Sequence, residues 1–195
     1  MKKLLLLLVV APLLCRPLAA EEAADAEPPS REFPFVLFDR WRPKWTVFQF
    51  SACPVSLFPA ETDVYGLNAA LTLGNIQNRV VGVSFAGFFA MVLNSHCGVM
   101  LSGLYSVLGD NYGVSIAPIN FVDRNFGIML GLANTAPVNP DGTTGFGIQI
   151  GLFNHAGSGL QIGLHNYNGN ALLKWLPLLN FSLPAKEAES APDAP

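Results

Sequence analysis

Charge is what this chain has least of. Asp, Glu, Lys and Arg make up 13% of its 195 residues, about half the share of an ordinary soluble domain. Apolar residues reach 51%. Disorder is therefore excluded for most of the sequence, since it needs low hydropathy and high charge. The net charge is −3 and there is no basic stripe, which excludes the electrostatic footprint of a nucleic-acid binder. Three cysteines are too few for a disulfide scaffold. The three histidines, His96, His155 and His165, have no cysteine or carboxylate at a fixed spacing, and a metal centre needs three or four converging ligands. No G-x-S-x-G elbow occurs, and the glycine-rich block contains no carboxylate pair; nucleophilic and acid–base constellations are missing with them. Gly157-Ser158-Gly159 precedes no helical pattern, so a phosphate loop is excluded as well. The expectation is a non-enzymatic protein with no cofactor, no metal and no nucleic-acid partner. No small-molecule ligand is indicated.

What the chain does have begins at its N-terminus. Met1-Lys2-Lys3 precedes an eleven-residue apolar run, Leu4 to Leu14. Positive charge followed by an apolar run of ~7–15 residues is the pattern of an export signal. The run is too short to cross a bilayer, which takes about 20 residues. Ala19-Ala20 before Glu21-Glu22 marks a cleavage site, although Leu18 stands where a small residue is preferred. Cys15 lies between Leu14 and Arg16, flanks that disfavour lipidation. The sequence thus divides into a signal peptide (1–20), an acidic flexible leader (21–33), a β-repeat domain (34–183) and a disordered tail (184–195). Two cysteines remain after cleavage, Cys53 and Cys97. Export brings oxidising conditions, so they are a candidate disulfide, with two buried free thiols as the alternative.

The domain is repetitive. Seven segments align on a glycine, at Gly66, Gly82, Gly98, Gly113, Gly127, Gly147 and Gly159. Counting from that glycine, position +1 is always aliphatic, and +3 is large and apolar except at Ala69. Position +2 is Asn, Ser, Met or Gln, and +4 is always small. This alternation has the period of a β-strand and puts +1 and +3 on one face. Turn residues recur once per repeat, as in Asn94-Ser95-His96 and Asp123-Arg124-Asn125. One turn per repeat predicts an all-β antiparallel meander, which closure would make a small barrel. The alternative is a parallel β-solenoid with one coil per repeat. It is supported by Asn120, Asn134, Asn154 and Asn166, all at +7, and opposed by the shortest repeat, which is very short for two strands and two turns. Ala171 to Leu183 departs from the repeat and reads as a closing strand, edge-like or bulged because Pro177 cannot donate a ladder bond.

From Tyr65 to Asn180 only six residues are charged: Arg79, Asp110, Asp123, Arg124, Asp141 and Lys174. All but Lys174 fall in predicted turns. Uncharged strand bodies match a membrane barrel, with +1 and +3 facing lipid and the small, polar face inward. The same small residues would fill a barrel lumen poorly, however. Trp41 and Trp45, with Arg40, Arg42 and Lys44, read as an interfacial anchor or as a segment packed on the first strand.

The segments GFGIQIGLFN and GLQIGLHN, the stretch SLFPAETDVYGLNAALTLGNIQNRVVGV and the ending LPLLNFSL resemble the leptospiral surface-repeat proteins, exported bacterial proteins with tandem G-aliphatic-Q-aliphatic-G-L-x-N units. The resemblance covers residues 54–183 and is closest in the last two repeats. It implies a location at the cell envelope or surface and a repeat architecture, with no activity or ligand attached. The expectation is an exported envelope protein at the outer membrane or cell surface, whose partners are the membrane or other envelope components. The alternative is a soluble periplasmic or secreted binding or adhesion module on a β-solenoid.

Overall fold

The computed structural model describes residues 35–37, 43–52, 55–59, 61–71, 75–139 and 142–184. The expected signal peptide, the leader, residues 185–195 of the tail and Cys53 lie outside the described residues. Fifteen strands are described, joined in one sheet that winds as a parallel β-solenoid. The expected antiparallel meander, and with it the small barrel, is corrected here. The repeat glycines stack coil on coil in a parallel ladder: Gly66 pairs with Gly82 and Gly82 with Gly98, and the register continues through Val99–Val114, Val114–Ile128, Ile128–Ile148 and Ile148–Leu160. The seven glycines therefore mark the coils, as the alignment implied.

The meander failed on its turn count. Each coil bends twice. The recognised polar segment makes one corner, often without leaving strand conformation: Asn75–Ala86 and Phe89–Ser102 each run from one face of the solenoid to the other as a single strand. Register shifts at Gln77/Arg79 and Val92/Ser95 supply the bend, as bulges do. The second corner is only two residues long: Gly87-Phe88 and Gly103-Leu104 at +5 and +6 in two early coils, and Gly131-Leu132, Gly151-Leu152 and Gly163-Leu164 at +4 and +5 in the late ones. So tight a corner lets the coil from Gly147 to Ser158 close with the short strands Ile148–Ile150 and Phe153–Ala156.

Antiparallel pairing is confined to the ends. Trp45–Ala52 pairs with Val55–Ser56 near the first coil. At the other end Trp175–Ser182 pairs with Gly159–Asn168 across a register shift between Gly163 and Asn166. This closing strand carries Pro177 and a positive-φ Leu178, as its proline foretold.

Candidate interaction surface: an inverted solenoid

The interior of the solenoid combines buried polar columns with an apolar cluster that includes Val80, Met100, Leu108 and Met129. Position +2 is buried in every coil: Asn68, Ser84, Met100, Ser115, Met129, Gln149 and Gln161 are all at most 1% exposed. The +7 asparagines form a second buried column and a continuous ladder. The amide of Asn120 donates to Asn134 Oδ1, Asn134 to Asn154 and Asn154 to Asn166, each at 2.8 Å. Ser106 and Ser115 hydroxyls start the chain by donating to Asn120 Oδ1 at 2.7 and 2.8 Å.

These amides also secure the tight corner. Asn120 Nδ2 reaches the carbonyls of Ala117 and Leu130 at 3.1 Å, and Asn154 Nδ2 that of Ile162 at 3.0 Å. The Leu130 and Ile162 carbonyls also accept the backbone N–H groups of Ala117 and Gly151, at 3.1 and 3.0 Å, so the amides supply each with a second donor. The small column at +4 has the matching role. A Cβ on Gly151 would fall on the Gly131 carbonyl and within 2.6 Å of Asn134 Nδ2. At the other end of the same face, Gly98 has φ of 132° and lies against the Gly82 carbonyl, a backbone that other residues rarely adopt.

If polar side chains point in, the alternate positions point out. Leu67, Phe85, Ile150 and Ile162, from the +1 and +3 columns, are 40–47% exposed. The tight corner adds an exposed row one residue wide: Leu71, Phe88, Leu104, Leu132, Leu152 and Leu164. On the opposite face Phe121 and Phe153 are exposed too. One face and the corner are thus apolar, while the opposite face is mixed, with Asp123, His155 and His165 exposed beside Phe121 and Phe153.

The remaining corner carries the polar contacts, with Leu93, Tyr112 and Phe126 exposed among them. Asp63 accepts from Asn78 at 2.8 Å, and Asn78 accepts from Asn94 at 2.6 Å. Arg124 holds Asp110 through two hydrogen bonds, from Nε at 2.7 Å and Nη2 at 2.6 Å. Tyr112, beside this pair, has its phenol pushed up by burial first and by the Asp110 charge second.

No protein family, curated protein or solved structure matches this chain. The resemblance to leptospiral surface-repeat proteins therefore rests on the repeat residues, and function has to be argued from the surface.

The histidines take separate places. His96 is fully buried; its Nδ1 lies 3.2 Å from Asn111 Oδ1 and its Nε2 has no partner. Burial lowers its pKa from 6.5 to about 4. His155 and His165 lie on neighbouring parallel strands. They are opposite Tyr167 and Phe153 respectively. With Trp175 they form an aromatic ledge: His155–Tyr167, Tyr167–Trp175 and His165–Trp175 centroids lie 4.7, 4.6 and 4.3 Å apart. Sequence reasoning missed this ledge because Trp175 reaches it only through the antiparallel closing strand. Among the described residues no three His, Cys, Asp or Glu side chains are grouped to hold a metal ion.

Cys97 is buried and disulfide-bonded; its expected partner, Cys53, lies outside the described residues. Trp45 opens its strand largely exposed and lines an apolar groove of about 810 Å³ with Val47, Phe48, Leu57 and Phe58. Trp41, Arg40 and Arg42 lie outside the described residues.

Proposed function

We propose that the chain is an exported, non-enzymatic structural protein of a bacterial envelope, held at the outer membrane by its own apolar exterior. The observation that carries this reading is the inversion of the solenoid. A protein surrounded by water turns its polar columns outward, because exposed apolar area costs free energy. Here Gln149 and Gln161 are buried while Ile150 and Ile162 are exposed. Export is supported by the N-terminal pattern of Lys2, Lys3 and the run Leu4 to Leu14.

Backbone chemistry agrees. A surface that meets lipid must leave no backbone group unpaired. In a solenoid the ladder bonds run from coil to coil, so the lateral faces present only side chains. The alternative, a soluble binding or adhesion module, draws on the solenoid itself and on the aromatic ledge. Fractionation of the producing cell separates the two. The protein is expected with the outer membrane after an alkaline carbonate wash, with an intact mass beginning near Glu21. Recovery in the periplasm or medium would favour the soluble module, and a mass retaining Met1 would refute export.

A further inference from the structure

We infer that the solenoid lies lengthwise in one leaflet of a bilayer, as a wedge with the leucine corner down and the polar corner at the headgroups. This rests on the membrane reading above and adds the orientation.

Three observations fix it. The first is the distribution of charge along the axis. Arg79, Asp110 and Arg124 share the polar corner but belong to different coils, with the coil of Ser95 between Arg79 and Asp110. If the axis ran across the membrane, the Arg124–Asp110 pair would sit near mid-depth, where charge is costly. With the axis in the membrane plane, every charge in that corner stays at the surface.

The second is depth. From the repeat glycine to position +5 the chain runs roughly 16 Å at about 3.3 Å per residue. One leaflet of hydrocarbon is about 15 Å deep, half of the ~30 Å core. The apolar face matches a single leaflet.

The third is shape. The apolar surface wraps the corner and continues onto one face through Ile150 and Ile162 and onto the other through Phe121 and Phe153, where it is interrupted by the exposed Asp123, His155 and His165. A second copy docking by two-fold symmetry covers one patch. Fluid acyl chains cover all three sides of a wedge. The occupant is therefore the acyl region of a lipid monolayer.

The test uses the full mature chain and phosphatidylcholine vesicles. Phe88→Cys, Leu132→Cys and Leu164→Cys probe the leucine corner in an early, a middle and a late coil. Asn94→Cys and Asn139→Cys probe the polar corner. Each is labelled with a nitroxide under non-reducing conditions, and its depth is read from accessibility to oxygen against a water-soluble relaxant. The expected result is equal burial in one leaflet for the three corner labels and water exposure for the other two. Depth that changes steadily from Phe88 through Leu132 to Leu164 would overturn the orientation while leaving membrane association intact. Spin–spin broadening at the corner without lipid contact would overturn it in favour of a second copy. Failure of the wild type to bind vesicles would overturn both this inference and the membrane reading. As a second readout, Leu132→Asp with Leu152→Asp is expected to weaken vesicle partition at least tenfold, while Ser95→Asp with Asn139→Asp leaves it unchanged. Equal loss in the two pairs would also refute the leucine corner as the inserted edge.

Discussion

At the scale of single residues, the cost of a polar interior is clearest at His96. A fully buried imidazole with one ring nitrogen unpartnered is held neutral, its pKa lowered from 6.5 to about 4 by loss of water. The unfolded chain takes up a proton near 6.5 while the folded one resists it. Below 6.5, then, the unfolded state binds more protons and stability falls with pH until about 4; above 6.5 the full contribution is present. His96→Gln removes the titration and retains an amide able to donate to Asn111. Unfolding midpoints measured across this range should drop more steeply for the wild type than for His96→Gln. Parallel profiles would contradict the assignment.

At the scale of the element, the two-residue corner of the last four coils depends on two things at once: a residue without bulk at +4 and an amide at +7. Asn134→Ala takes an acceptor from Asn120 Nδ2, the ladder donor from Asn154 Oδ1 and one of two donors from the Ile150 carbonyl, which keeps the Gly131 N–H. A buried group left unpaired costs about 1–3 kcal/mol. Gly151→Leu drives a side chain into the same amide ladder and the Gly131 carbonyl. Both are expected to lower stability well beyond Leu183→Ala, a change at an exposed terminal position. Equal chemical-denaturation curves for the three variants would refute this account of the corner. The corner also explains what was legible in the sequence. The glycine columns, the coil boundaries and the face shared by +1 and +3 can be read from period-two patterning. The direction of pairing cannot, because glycine, leucine and asparagine at +4, +5 and +7 do not look like a turn until the asparagine amides are seen to close it. Asn120, Asn134, Asn154 and Asn166 were the signal, and a count of obvious turn residues outweighed them.

At the scale of the whole molecule, the distinctive property is inversion. The core mixes Val64, Val80, Val92, Leu108 and Met129 with buried amides from Gln49 and Asn68 through Asn166, while much of the outside is apolar. Patterning gave the split between faces but not which face is inside; a barrel and a solenoid both permit the orientation that was found. Composition did carry the clue, since a water-facing surface needs more charge than this domain has. The membrane claim is most directly tested by refolding the wild-type mature chain from denaturant with and without phosphatidylcholine vesicles, followed by circular dichroism and sedimentation velocity. The account predicts a β-rich, vesicle-bound species when lipid is present and aggregation when it is absent. A monodisperse, β-rich protein in plain buffer that ignores the vesicles would contradict it.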